Sequence, residues 1–226
     1  MPTAHSPGRE EIAAKAIDAA LNLAADTDWK AVALADIAEK ANLALSELHP
    51  AFGHKFALIS GYMDRIDRAV LDGVDPEDAQ EATRDRLFDI MMRRFDELQK
   101  DRRAVASIIN GTLADPLSAA CLLGRAGQSM SWMLEAAGVP SHGMKGRLRT
   151  KALGLLHLTV LRVWLKDDSQ DLSKTMAALD KALDKAERAE GWCNDFGWRK
   201  PGGNSTETTA RPSEQQAKGG PQGQPA

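Results

Sequence analysis

The apolar residues of this chain recur every three to four positions, the spacing of one face of an α-helix. In the first part of the chain such a face is formed by Ile12, Ala16 and Leu23. No run alternates apolar and polar residues strictly enough to predict a strand. The first four predicted helices cover residues 9–25, 34–41, 45–51 and 55–71. The pattern therefore indicates an all-α fold.

Beyond residue 72 the predicted helices are longer and are bounded by proline and glycine. Asp75-Pro76 and Asp115-Pro116 each place a capping carboxylate before a proline, which is favoured at the first helical position. Gly138 is a typical helix end. The helices predicted here cover residues 76–99, 102–113, 116–137, 145–165 and 171–189. We expect an N-terminal domain over 9–72, a helical body over 75–190 and, from its Gly/Pro/Ser/Thr/Gln-rich composition, a disordered tail over 197–226.

Composition is that of a globular protein with its own core. Apolar residues make up 43% of the 226 positions, and the formal net charge is −3. The longest stretch without a charged residue, 104–114, is shorter than the roughly 18 residues that a membrane-spanning helix needs. The two cysteines, Cys121 and Cys193, cannot form a disulfide framework or a zinc-finger spacing. We expect a soluble cytoplasmic protein.

Residues 34–51 have the arrangement of a helix-turn-helix. The two short predicted helices are joined by Ala41-Asn42-Leu43-Ala44, and Asn accepts the left-handed backbone that such a turn uses. The residues expected to face inward are Ala20, Trp29, Ile37, Ala38, Leu43, Leu48 and Phe52. A motif of this kind presents its second helix to the major groove of DNA.

A family resemblance rests on Ala19-Ala20-Leu21, Leu34-Ala35-Asp36-Ile37-Ala38, Leu48-His49, Phe52 and Lys55. With these motifs, the stretch from Ile12 to Tyr62 resembles the N-terminal domain of TetR-type transcriptional regulators. The resemblance implies an all-helical homodimer, in which a small effector bound in the C-terminal body changes the spacing of two DNA-reading helices. It implies a double-stranded DNA operator as partner. The DNA-binding positions that it assigns are Ala33, Ala44, Leu45, Ser46, Glu47, His49 and Lys55.

Charge in the N-terminal domain is unusual for a DNA-binding protein. Residues 1–72 contain 7 basic and 11 acidic side chains, whereas affinity for DNA comes mostly from neutralising phosphates with Lys and Arg. Ala33 and Ala44 stand where the family has polar caps, and Glu47 stands where it has a small or hydroxylated residue. Lys55 alone matches a usual phosphate contact. Glu47 could still accept a hydrogen bond from a cytosine amino group.

A second pattern lies near the end of the body. It consists of Trp164-Leu165, Asp167, Ser169, Asp171, Thr175 and Leu179-Asp180. The acidic and hydroxyl side chains are expected to cap the last helix. The same spacing resembles the C-terminal part of ubiquinone-biosynthesis accessory proteins of TetR-like fold. That resemblance implies an alternative function: holding an isoprenoid lipid to aid a partner hydroxylase, with no action on DNA.

Both resemblances imply an apolar chamber in the helical body that holds a small apolar or lipid ligand. Such chambers are lined mostly by apolar side chains with a few polar groups. The candidate lining residues are Leu122, Met130, Trp132, Met133, His157, Trp164 and Met176. The alternative for each is ordinary core packing. The extensive apolar surface of 153–165 and 116–137 also predicts a symmetric homodimer.

Catalytic and cofactor-binding patterns were not found. The five histidines are scattered, and the sequence has no metal-ligand spacing, glycine-rich phosphate loop or nucleophile motif. We therefore predict no enzyme activity, no cofactor and no metal site. Trp192, Phe196 and Trp198 form a short aromatic segment that could contact a membrane surface or dock on the protein's own body.

Overall fold

The computed structural model describes residues 7–75 and 80–188. Within these residues the chain forms nine α-helices and no strand. The helices are α1 (Pro7–Asp26), α2 (Leu34–Lys40), α3 (Leu45–Leu48), α4 (Lys55–Asp72), α5 (Thr83–Gln99), α6 (Arg102–Leu113), α7 (Pro116–Ala136), α8 (Gly143–Trp164) and α9 (Ser173–Arg188). The all-α fold expected from the hydrophobic pattern is confirmed.

Helices α1, α2 and α3 pack around one apolar centre and form the predicted helix-turn-helix. Of the inward-facing residues expected there, all are buried except Leu43, which is half-buried. Asn42 adopts the left-handed conformation with φ 54°. The N–H of Asn42 donates to the carbonyl of Glu39, and the N–H of Leu43 donates to that of Ala38. This turn lets α3 cross over α2.

Two helices differ from the sequence prediction by three or more residues at one end. α3 ends at Leu48, not at residue 51, because Pro50 has no N–H to continue the helical hydrogen bonds. Ala51 and Phe52 instead donate to the carbonyl of Leu48. α5 begins at Thr83, not at residue 76; residues 80–82 precede its apolar face, and 76–79 are outside the described residues.

Helix α4 connects the helix-turn-helix to the body. It packs on α1 on one side and on α5 and α7 on the other. The body is completed by α6, which packs along α1, and by the α8–α9 pair. Phe95 and Trp164 are fully buried at its centre, with ring centroids 6.2 Å apart. The arrangement makes α4 common to both halves of the molecule.

The start of α9 is capped by acidic and hydroxyl side chains, as the sequence predicted: Ser169 and Asp171 both accept from the backbone N–H of Ser173, and the buried carboxylate of Asp167 makes the largest number of bonds. One oxygen of Asp167 accepts hydrogen bonds from the backbone N–H and hydroxyl of Ser169. The other accepts from the backbone N–H of Thr175 at 2.8 Å and from its hydroxyl at 2.7 Å. Burial by itself raises the pKa of Asp167, but these hydrogen bonds outweigh it and hold the pKa below its usual value. The turn pattern after Trp164 thus has a structural role.

The predicted disordered tail over 197–226 lies outside the described residues. The same holds for the aromatic segment of Trp192, Phe196 and Trp198. Both therefore stay predictions.

Candidate functional site

Most of the residues assigned to DNA binding are exposed. The exposed ones are Ala33, Ala44, Leu45, Ser46, Glu47 and His49. They lie at the start of α2 and along α3, and Leu45 has 55% of its surface exposed. We call this group of six the reading surface.

Alanines at the two cap positions leave the helices with only half of a capping box. The side chains of Ala33 and Ala44 can accept no hydrogen bond. Their backbone N–H groups, however, donate to carboxylates three residues later, Ala33 to Asp36 at 2.7 Å and Ala44 to Glu47 at 2.8 Å. The negative charge of Glu47 is thereby held at the N-terminal end of α3, where the helix dipole favours it.

Lys55 does not extend freely from the reading surface. It is half-buried at the first turn of α4, and its ammonium donates to the backbone carbonyls of Trp29 and Val32, the latter at 2.6 Å. The ammonium also lies 4.2 Å from the centroid of the Trp29 ring. Burial lowers the pKa of Lys55, and Asp28 and Asp36 oppose this shift. Lys55 therefore holds the loop between α1 and α2 against α4.

The helices that carry the reading surface have a net negative charge. Helices α2 and α3 carry three carboxylates, on Asp36, Glu39 and Glu47, and one cation, on Lys40. With Lys55 occupied by backbone carbonyls, few cations remain to neutralise phosphates. The surface therefore offers little electrostatic attraction to phosphates.

A small apolar cavity lies inside the body, between α4 and the helices that pack around it. Its volume is about 110 Å³. Its apolar walls include Ile59, Met63 and Ile66 of α4, Val105 and Ile109 of α6, Leu122 of α7 and Leu161 of α8. Leu113 and Leu123 line one side and are 53% and 48% exposed, so the cavity meets solvent between the end of α6 and the middle of α7.

Three polar side chains complete the cavity wall, namely Tyr62, Arg94 and His157. The hydroxyl of Tyr62 donates to Asp101 at 3.1 Å. Arg94 and His157 are nearly fully buried, and each has one nitrogen without a hydrogen-bond partner: Nε of Arg94 and Nδ1 of His157. Burial, reinforced by the Arg94 charge, lowers the pKa of His157 to about 3, so its imidazole is neutral at pH 7.

Arg94 also belongs to a buried ionic network that joins three helices. Its guanidinium donates to Asp67 of α4. The second oxygen of Asp67 accepts from Arg125 at 2.9 Å and from the hydroxyl of Ser129 at 2.7 Å, both on α7. Arg125 reaches Asp64 as well, at 2.6 Å. The cavity wall on α5 is thus bonded directly to α4.

The candidate ligand residues are only partly brought together at this cavity. Leu122 and His157 line it. Met130, Met133 and Trp164 are fully buried core residues that do not line it, because they pack at the centre of the body. Trp132 and Met176 are 54% and 43% exposed.

The sequence analysis missed Arg94 and Asp67, although their positions carried a signal. Arg94 follows Ile90 and Met91 on the apolar face of α5, and Asp67 lies between Met63 and Val70 on that of α4. A charged residue within an apolar stripe is seldom buried unless it is paired. Opposite charges on the inward faces of two neighbouring helices therefore indicate a buried ion pair.

Two neighbouring helices carry large apolar residues whose side chains are more than half exposed. α7 exposes Leu117 and Trp132, and α8 exposes Met144, Leu148 and Leu155. Leu148 and Leu155 lie two turns apart on one face of α8. We call these five residues the α7–α8 face.

The described residues hold no group of three side chains suited to a metal ion. Within the same ranges, none of the helices has the length and apolar character needed to span a bilayer.

Comparison with known proteins shows similarity at the level of structure. The chain matches the crystal structure of a TetR transcriptional regulator from Nitrosomonas europaea, with a TM-score of 0.64 and 26% sequence identity over 80% of this chain and 98% of that chain. It matches a TetR transcriptional regulator from Rhodococcus sp. RHA1 with a TM-score of 0.59 and 19% identity, over 79% and 94% of the two chains. No family model and no curated protein matches the sequence. The likeness spans both the helix-turn-helix and the body.

Proposed function

Because the chain has a TetR-like fold, we propose that it is a transcriptional regulator that binds DNA as a homodimer and responds to a small ligand. The observation that carries this proposal is the shared helix α4. The first turn of α4 carries Lys55, which holds the loop between α1 and α2, and its middle carries Ile59, Met63 and Ile66 in the cavity wall. A ligand that shifts these side chains therefore acts on the helix that positions the reading surface.

Base contacts on this surface come from α3. Leu45 is exposed and can pack on a thymine methyl group, and the Ser46 hydroxyl can donate or accept. Glu47 binds the backbone N–H of Ala44 through one oxygen, which leaves the other to accept from a cytosine amino group. We expect recognition dominated by base edges, with a weak dependence of affinity on salt because few cations contact phosphate.

A direct test measures binding of the full chain to the DNA that flanks its own gene, by fluorescence anisotropy at increasing salt. We expect a specific complex at low salt. The double variant Leu45→Ala/Ser46→Ala is expected to weaken it at least tenfold, whereas Met176→Ala, on α9, leaves it unchanged. Absence of any sequence preference at low salt would contradict DNA recognition by this protein.

The α7–α8 face supports the homodimer. In a symmetric dimer, the same surface of both copies forms the interface. A second copy related by a twofold axis can therefore cover the exposed Trp132 and Leu155 with its own α7–α8 face. Light scattering on the full chain should give a dimer mass. Leu155→Glu is expected to give a monomer, and the matched control Leu45→Glu, at a similarly exposed leucine far from this face, should stay dimeric. A dimeric Leu155→Glu variant would place the interface elsewhere.

For the alternative function, isoprenoid binding in ubiquinone biosynthesis, the observations give less support. The residues that carried that resemblance cap α9, and Asp180 pairs with Arg84. The cavity of about 110 Å³ is smaller than the roughly 150 Å³ of a cavity that binds benzene, and an isoprenoid tail is several times larger than benzene. Extraction of the purified protein with organic solvent provides the check, since a stoichiometric isoprenoid in the extract would favour the alternative.

A further inference from the structure

Helix α8 has the largest excess of positive charge among the described helices. It contains five basic side chains and no acidic one, and the nearest acidic residues along the chain are Glu135 and Asp167. Arg147, Lys151 and Arg162 are exposed, and none of the three forms an ion pair within the described residues. An exposed group of cations with no carboxylate nearby favours an anionic partner.

Two exposed apolar side chains share a face of α8 with two of these cations. Met144 is 90% exposed and Leu148 is 56% exposed. Arg147 and Lys151 follow Met144 by three and seven residues, so all four side chains lie on one side of the first turns of the helix. We call these four residues the α8 patch. Apolar side chains flanked by basic ones are typical of helices that lie at a membrane surface.

The α8 patch lies at the end of the body opposite the helix-turn-helix. Helix α4 begins at the helix-turn-helix and runs in the same direction as α7, since Asp64 contacts Arg125 and Asp67 contacts Ser129. The end of α7 is therefore far from the helix-turn-helix, and α8 begins after a connection of six residues. Residues 1–72 contain 7 basic and 11 acidic side chains, so the two ends of the molecule differ in charge. An anionic surface attracts the end that carries the α8 patch.

A second copy of the chain does not provide the anionic partner. A symmetric interface places the α7–α8 face against itself. Helices α7 and α8 together have a single carboxylate, that of Glu135, and it accepts from the backbone N–H of Ser141 at 2.7 Å. The proposed dimer, which covers Trp132 and Leu155, therefore leaves the cations of the α8 patch without a partner.

We propose that the α8 patch binds the surface of a bilayer that contains anionic phospholipids. Met144 and Leu148 enter the headgroup region, and Arg147 and Lys151 contact lipid phosphates. Nucleic acid matches the cations but leaves the two apolar side chains in water, whereas a bilayer accounts for the whole patch. The contact is peripheral, in keeping with the described helices, none of which has the length and apolar character to cross a bilayer. This inference goes beyond the proposed function and does not depend on it.

Flotation of the full chain with lipid vesicles tests this proposal. Vesicles of phosphatidylcholine alone are compared with vesicles in which one lipid in three is phosphatidylglycerol, at low and at high salt. We expect at least tenfold more protein on the anionic vesicles at low salt, because each basic side chain near an anionic surface strengthens binding. High salt should remove most of this difference by screening the cations. Equal binding to both kinds of vesicle, or binding to neither, would overturn the proposal.

Two double variants separate the charged contacts from the apolar ones. Arg147→Glu/Lys151→Glu is expected to lower binding to anionic vesicles at least tenfold. The matched control is Lys30→Glu/Lys40→Glu, which makes the same change in net charge at exposed lysines of the N-terminal domain and should lower binding less than threefold. Met144→Ser/Leu148→Ser keeps the net charge and is expected to lower binding at least threefold. Unchanged binding in either variant of the α8 patch would contradict the lipid contact.

The other partners of the α8 patch are outcomes of the same experiment. All four positions are exposed, so the variants should keep the wild-type circular dichroism spectrum. Light scattering without vesicles should give the wild-type mass, and a lower mass for Arg147→Glu/Lys151→Glu would assign the patch to the interface between copies instead. Displacement of the protein from the vesicles by unrelated duplex DNA would indicate a nucleic-acid partner and overturn the proposal. Because flotation is carried out without DNA, its result is separate from that of the DNA-binding test.

Discussion

Replacing Lys55 by methionine distinguishes a structural lysine from a DNA-binding one. Methionine keeps most of the apolar stem and removes the ammonium, which bonds the carbonyls of Trp29 and Val32 and lies over the Trp29 ring. A hydrogen bond to a charged group contributes about 1.5–3 kcal/mol and an exposed cation–π contact about 0.5–1 kcal/mol. Since Lys55 is half-buried, water can replace part of the hydrogen bonding that the two carbonyls lose. We expect the free energy of unfolding to fall by about 2 kcal/mol.

Urea unfolding of the full chain, followed by far-ultraviolet circular dichroism, measures this loss. Lys40→Met is the matched control, because Lys40 is an exposed lysine at the end of α2, and its unfolding free energy should change by less than about 0.5 kcal/mol. DNA binding by the folded Lys55→Met variant should keep the salt dependence of the wild type, whereas loss of a phosphate contact would reduce the logarithmic slope by about 0.9. A variant with wild-type stability and a reduced slope would refute the structural role.

Three further measurements follow from individual contacts. Asp167→Asn should lower the free energy of unfolding by about 2 kcal/mol, because the amide has only one oxygen and can accept from either Ser169 or Thr175, but not from both. The control is Asp168→Asn, at a side chain that is 90% exposed, which should change the free energy of unfolding by less than about 0.5 kcal/mol. His157 stays neutral in the folded protein to about pH 3, but the unfolded chain protonates near pH 6.5, so stability is lost as the pH falls. From pH 6.5 to 5.0 the wild type should lose about 1.5 kcal/mol more than His157→Leu in urea unfolding, and equal losses would contradict burial of a neutral imidazole. Glu47→Gln keeps a side-chain acceptor for the α3 cap and removes a negative charge, so non-specific DNA affinity at low salt should rise at least threefold, and more than in Glu39→Gln. The free energy of unfolding should fall by less than about 1 kcal/mol, because only the favourable interaction of the charge with the helix dipole is lost.

The helices could be predicted from the sequence because each has a continuous apolar face or a recognisable boundary residue. Asn42 in the turn, Asp115 before α7 and Gly138 after it all have the predicted roles. The errors came where local signals conflict. At α3 the helical pattern of apolar residues continued past Pro50, where the helix has already ended. At α5 the capping pair Asp75-Pro76 predicted a helix start seven residues before Thr83, where the helix begins.

The cavity was harder to predict than the fold, because a cavity is set by what several distant helices leave empty. Met130 and Trp164 have the residue types of a ligand site, but both are fully buried in the core. Arg94 has the residue type of a surface position but is buried through its pair with Asp67. Lys55 matched a family position by spacing, and the sequence gives no sign of the two loop carbonyls that it binds.

The contact between α1 and α6 has a consequence for engineering. α1 packs along α6. The backbone N–H of Trp29 donates to the hydroxyl of Ser107 at 3.1 Å, and a methyl group on Gly111 would come within 3.0 Å of the Trp29 side chain. An N-terminal fragment cut out at residue 72 would lose α6 and expose the side of α1 that α6 covers. Chimeras that exchange the N-terminal helices between such proteins therefore need to transfer α6 with them, or to preserve a glycine at 111 and a hydroxyl at 107.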